Sequence, residues 1–181
     1  MFYNKLIYLY IGIINQKNLC IMKKTSNNAL KNVCVFSLIC IALWVAFYAI
    51  QTYNVLTTGS GKGVINWGSP NMGLKLTMFV INRIMILTMA GLMAAFVFNI
   101  LKHLKGGTIF NRANVVLLWI MAVVLPIHSF ISDNMNFACS ATDQHEWMLT
   151  DTPFVYAIVA VIVAMLYKVA YDAAEEQKLT I

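Results

Sequence analysis

Residues 33–50 read VCVFSLICIALWVAFYAI, a run in which only Ser37 is polar, closed by Lys31 on one side and by Gln51, Thr52 and Asn54 on the other. A helix over these 18 positions rises about 27 Å at ~1.5 Å per residue, close to the ~30 Å of a bilayer's hydrocarbon core. Three further stretches repeat the pattern. Ile84 to Leu101 lies between Arg83 and Lys102, with apolar character reaching back through Leu76, Phe79, Val80 and Ile81. Ala113 to Ser132 has no formal charge and is interrupted by Pro126 and His128. Thr152 to Tyr167 ends at Lys168, whose stem can snorkel to the interface. All four runs are apolar on every face, whereas a helix of a water-soluble bundle keeps a polar side. Backbone groups in hydrocarbon must be satisfied within the segment, so helices are expected even across the β-branched cluster Val159, Val161, Ile162 and Val163. The predicted fold is all-α, an integral membrane antiparallel four-helix bundle with spans at about 33–53, 77–102, 113–132 and 152–171.

Composition points the same way. Of 181 residues, 60% are apolar and 11% charged, with a mean hydropathy of +0.72, against roughly 45–50% and about 25% in a soluble domain. Too little polar surface is left to cover a globule in water. The 31–181 region forms one transmembrane domain with a short C-terminal tail, and 1–30 is a separate N-terminal segment. Within that segment Leu6–Ile14 is too short to span, and Gln16, Lys17 and Asn18 stand where a signal peptide would carry small residues. Met22, followed by Lys23, Lys24, Thr25, Ser26, Asn27 and Asn28, has the composition of a cytosolic start, so residues 1–21 are expected to come from an upstream start.

Basic residues orient the spans. Lys5, Lys17, Lys23, Lys24 and Lys31 precede the first, Lys102, Lys105 and Arg112 lie between the second and third, and Lys168 and Lys178 follow the fourth. The 51–75 loop has only Lys62 and Lys75, and 133–151 has none. The positive-inside rule puts both termini and the 102–112 turn in the cytoplasm and the two long loops outside. Only Cys139 then lies on an oxidising side, and Cys34 and Cys40 are about 9 Å apart along one helix, so no intrachain disulfide is expected. Small residues mark expected packing seams: Ala90, Gly91, Ala94 and Ala95 on the second span, Ala42, Ala46 and Ala49 on the first, and Ala157, Ala160 and Ala164 on the fourth. Gly106 and Gly107 suit a tight turn.

Polar groups at membrane depth are the candidates for function. Asn82 and Arg83 open the second span and His128 closes the third at the same side, with Asp133 a turn beyond and Pro126 freeing a backbone carbonyl. Together Asn82, Arg83, His128 and Asp133 define an expected outward-facing polar pocket. His103 and His128 lie at opposite ends, which excludes an intrachain bis-histidine haem. Cys139, Asp143, His145 and Glu146 match no metal-ligand spacing. TTGSGKG at 57–63 lacks the phosphate-loop spacing and follows a span rather than a strand. No matched acid–base pair is present, so neither an enzyme, nor a cofactor, nor direct nucleic-acid binding is expected.

Two segments carry a resemblance. GGTIFNRAN at 106–114 places glycine, Phe110, the helix-capping Asn111 and then Asn114 at the start of the third span, and AAEEQKLTI at 173–181 ends the chain with Glu175, Glu176, Leu179 and Ile181. With four spans at this spacing, residues 30 to 181 resemble the bacterial family called domain of unknown function 2975, except that Lys178 stands where an acidic residue is associated with that family. The resemblance implies a multipass protein of the bacterial inner membrane, often encoded beside a small helix-turn-helix regulator. Phe110, Asn111, Asn114, Glu175, Glu176, Leu179 and Ile181 are then the expected contacts for such a partner, and the expected role is a non-enzymatic regulator or sensor. The alternative is a small transporter or immunity-type protein for a membrane-active compound.

Overall fold

The computed structural model describes the backbone of residues 2–58, 72–104, 109–135 and 148–179, and the side chains of 27–57, 72–104, 109–135 and 148–177. Four helices fill these ranges: α1 (Phe2–Thr58), α2 (Met72–Leu104), α3 (Arg112–Asp133) and α4 (Thr152–Leu179), with no strand among the described residues. Each contains a stretch long and apolar enough to cross a membrane, at Asn27–Thr57, Met72–Leu104, Arg112–Asp133 and Thr152–Gln177. The all-α four-helix architecture is therefore the one the chain adopts, and it is that of a multipass membrane protein.

Residue pairs fix the direction of each helix. Between α2 and α3, Asn82 meets Ser132 at one end and Asn99 meets Asn114 at the other. Between α1 and α2, Gln51 meets Arg83 and Val55 packs with Phe79. Between α3 and α4, Asp133 meets Thr150, while Phe110, just before α3, packs on Tyr167. In every pair numbers rise on one helix as they fall on its neighbour, so all three contacts are antiparallel. The ends of α1 and α3 and the starts of α2 and α4 form one end of the molecule, here the loop end. The end of α2 and the start of α3 lie at the other, the turn end.

Packing follows chain order. Backbone contact is most extensive between α3 and α4, then α2 and α3, then α1 and α2, and no other helix pair makes it among the described residues. On α1 the only buried hydrophobic residues among those described are Cys34 and Val55; Leu38, Ile41, Trp44, Val45 and Tyr48 are half-buried, and most of the other apolar residues face outward. Phe36 is 67% exposed and Leu43 66%, a surface that would aggregate in water and is ordinary against acyl chains. Cys34 and the exposed Cys40 are both free thiols.

The seams are narrower than the alanine pattern predicts. Ala90 and Ala164 are buried, but Ala42, Ala46 and Ala49 on α1 are exposed, and a Cβ placed on Gly91 would meet nothing within 4 Å. Close backbone approach therefore falls to alanine, not to this glycine. α1 also runs unbroken through residue 30, so the N-terminal segment and the first span belong to one helix. No proline occurs before Pro70 and only Gly12 interrupts the stretch before Gly59, which leaves no stop signal between them. Lys75, grouped by charge with the first loop, lies inside α2 and is fully buried. α3 carries through Pro126, whose missing N–H leaves the Ala122 carbonyl without its usual helical donor.

Candidate functional site

Asn82 and Arg83 are adjacent, and about 100° of helical rotation separates neighbouring residues, so the two address different helices. Asn82 is buried toward α3, where its Nδ2 donates to Ser132 Oγ at 3.0 Å. Arg83 turns to α1. Its Nη2 donates to Gln51 Oε1 at 2.9 Å, and the guanidinium carbon lies 5.0 Å from the Tyr48 ring centre and 4.5 Å from that of Phe79. Both rings are within the ~6 Å over which an aromatic face attracts a cation. Tyr48 and Gln51 share a face of α1 at i, i+3, and Phe79 and Arg83 share one of α2 at i, i+4, so each helix supplies one ring and one polar group.

Beside this cluster is a cavity of about 310 Å³ walled by Val45, Tyr48, Ala49 and Thr52 of α1 and by Arg83, Ile86 and Leu87 of α2. Apart from Arg83 its lining is uncharged. Ala49 and Leu87 are exposed, so the cleft opens on the lipid-facing surface between the two helices.

Of the expected pocket residues Asn82, Arg83, His128 and Asp133, Arg83 alone lines this cavity. The cavity at Arg83 takes no wall from α3. Asp133 accepts from Thr150 Oγ1 on the approach to α4. His128 is half-buried, and its Nε2 finds no hydrogen-bond partner. Depth along the chain is readable in the sequence and helix rotation is not, so the residues that face Arg83 could not be named from it. The missed residues are Tyr48, Gln51 and Phe79. Their signal was the i, i+3 and i, i+4 spacing just described.

Two polar clusters lock the other helices together. At the loop end, buried Asn134 donates through Nδ2 to the carbonyls of Phe130 (2.9 Å) and Met148 (3.0 Å), and its Oδ1 accepts from Met148 N–H at 2.8 Å. This clamps the end of α3 to the chain entering α4. At the turn end, Asn111 caps α3 as its position predicts: extended at φ −141° and ψ 153°, it accepts the Asn114 N–H at 2.8 Å. Asn114 is fully buried. Its Oδ1 accepts from Asn99 Nδ2 at 3.0 Å, and its Nδ2 donates to the Phe96 carbonyl at 3.4 Å. Tyr167 packs edge-on against Phe96 and Phe110, and its hydroxyl donates to the Ile109 carbonyl at 3.2 Å.

These bonds bear on the expected partner surface. Asn114 has its side chain spent inside the fold, and Asn111 and Phe110 are half-buried. Glu175 is half-buried and Glu176 exposed near the end of α4, beyond an exposed i, i+4 pair of Lys168 with Asp172 at 2.6 Å. The Cys20 and Leu179 side chains and Ile181 lie outside the described residues, as do Gly106, Gly107, Cys139, Asp143, His145, Glu146 and all but the start of the 57–63 stretch. No group of three or more His, Cys, Asp or Glu suited to a metal occurs among the described residues. Compared with family models, curated proteins and solved structures, the chain matches none of them.

Proposed function

We propose that the protein is a non-enzymatic regulatory or sensor component of a membrane, in which α2–α4 act as a fixed body and α1 is the element whose seating carries the signal. One observation supports this reading. α2, α3 and α4 are cross-bonded at both ends by Asn82, Asn99, Asn114, Asn134 and Tyr167, whereas among the described residues α1 makes backbone contact with α2 alone and is bonded to it at one end, through Gln51 and Arg83. A device needs such a difference between a rigid and a less constrained part. A transporter needs a polar path across the membrane. Between Arg83 and Asn99 the buried residues of α2 are Ile86, Met89 and Ala90, and the Thr88 hydroxyl is taken up by the Ile84 carbonyl.

The proposal extends to setting and partner. The distribution of lysine and arginine favours cytoplasmic termini in a bacterial inner membrane, and the resemblance to the domain of unknown function 2975 family favours a helix-turn-helix repressor as partner. The exposed tail around Glu176 would be its contact, with the turn before α3 beside it. A deletion strain compared with its parent for transcription of adjacent genes and for sensitivity to membrane-active agents tests the role. Altered transcription with unaltered sensitivity is expected, and the reverse would favour the immunity-type reading. Co-purification of an adjacently encoded regulator, lost on deleting residues 175–181, tests the contact.

A further inference from the structure

We propose that the cleft between α1 and α2 binds a compact, uncharged, lipid-soluble phenol, with its ring among Tyr48, Ile86 and Leu87 and its hydroxyl donating to Thr52 Oγ1. Such a site can exist whether or not the protein regulates anything. Charge, shape and polarity each narrow the occupant.

Arg83 is the single formally charged residue of the lining, and it is engaged from within the chain. Its Nη2 is on Gln51, two rings lie beside the guanidinium, and Arg83 makes a further interaction besides these. An arginine satisfied in this way does not need an anion, and it repels a cation. Depth acts in the same direction. By the antiparallel register, the midpoints of the apolar runs 33–50 and 113–132 both lie opposite α2 near residue 92. At ~1.5 Å per residue Ile86 and Leu87 are then about 8 Å from the midplane, well inside the ~15 Å half-thickness of the hydrocarbon core. A neutral molecule is the one that enters there at little cost.

The loop-end side of the cleft is shut. Gln51 bonds Arg83 across it, and one turn further out buried Val55 packs with buried Phe79. A phospholipid chain descending from the loop-end headgroups therefore does not enter lengthwise, and the opening is sideways, past exposed Ala49 and Leu87. The α1 wall runs from Val45 to Thr52, about 10 Å at ~1.5 Å per residue. Its volume of about 310 Å³ is roughly twice that of the ~150 Å³ apolar cavity that admits benzene, which is room for two rings. A rigid ring gives up less freedom on binding than an acyl chain, and the Tyr48 ring offers it an aromatic contact.

Thr52 supplies the polar handle. Its hydroxyl donates to the Tyr48 carbonyl at 2.7 Å, so the oxygen's lone pairs remain to accept. Gln51 Oε1 is already taken by Arg83. The lining thus calls for a donor, and a phenol joins a hydroxyl to a ring while staying protonated up to a pH of ~10.

The test uses the full chain with Trp67, Trp119 and Trp147 replaced by Phe, which leaves Trp44, whose ring packs at 5.7 Å on the Tyr48 ring. In phosphatidylcholine vesicles at neutral pH, Trp44 is titrated with bromohydroxybiphenyl, bromobiphenyl and bromobiphenyl carboxylate, compared at equal mole fraction in the bilayer. Quenching by the phenol is expected to saturate and to be reversed by unbrominated hydroxybiphenyl, whereas the other two should quench linearly. Ala49→Phe, which fills the cleft, should abolish saturation. Thr52→Val, which removes the acceptor and keeps the shape, should raise the half-saturating mole fraction about five-fold. Linear quenching by the phenol, the behaviour of a cleft occupied by bilayer chains, overturns the proposal. So does saturation by either other compound at the phenol's own mole fraction, or saturation that survives Ala49→Phe. If Ala49→Phe fails to insert as a helical protein, Thr52→Val decides: an unchanged half-saturating fraction overturns the proposal. Each negative result leaves the regulatory reading, which is read on transcription, standing.

Discussion

The Asn114 side chain both accepts from Asn99 and donates to the Phe96 carbonyl, and it does so fully buried between two helices. In lipid the unfolded reference also finds partners, so such bonds are worth about 0.6 kcal/mol on average and up to ~1.7. Asn114→Ala should lower unfolding free energy in detergent by roughly 1–2 kcal/mol, and a double-mutant cycle with Asn99→Ala should show positive coupling within that range. A cycle that closes at zero would mean the bond carries nothing. His128 makes the opposite case. Its Nε2 is buried without a partner, so His128→Leu removes an unsatisfied group and should change stability by less than about 0.5 kcal/mol in the unfavourable direction. At this scale the sequence marked Asn114 as a partner contact and His128 as a pocket residue, whereas the structure bonds the Asn114 side chain to Asn99 and half-buries His128. A residue's identity states its bonding capacity, but which neighbour meets it depends on how the helices are rotated.

For the elements, the span positions were legible because an apolar run of bilayer length is a strong and local signal. The continuity of α1 was not, because a polar stretch without proline reads as a terminus in sequence and yet folds as helix. Pulling the reconstituted protein from its N-terminus in a single-molecule experiment should extract α1 as a first, separate step. The step should release about 200 Å of contour for its 57 residues. The cross-bonded α2–α4 body should follow at higher force, and simultaneous release of all four helices would contradict the division. α4 is held at the turn by Tyr167 through two ring contacts and one hydrogen bond. Tyr167→Phe keeps the rings and should cost about 0.5–1.5 kcal/mol, whereas Tyr167→Ala should cost roughly 3 kcal/mol or more in thermal unfolding.

On the scale of the whole molecule, antiparallel spans bring the end of α2, the start of α3 and the end of α4 to one side, and the end of α1, the start of α2, the end of α3 and the start of α4 to the other. The lysine-rich turn end is expected to face the cytoplasm. Reporter fusions after Ile181 and within 105–108 should therefore read as cytosolic and those within 59–71 as external. Any result that separates Ile181 from 105–108 would break the topology itself, and not merely its orientation.

The helices end at unequal heights. α3 stops opposite residue 82 of α2, while α2 continues through 72–80 beside the last turns of α1, a step of about 14 Å against which Met135, just beyond α3, is packed. Leu56 and Leu74 lie outward on that step. A thin bilayer strands these side chains in water, and a thick one covers them, at fractions of a kcal/mol per Å of mismatch. In a membrane of mixed thickness, that ledge alone should draw the protein toward the thicker regions.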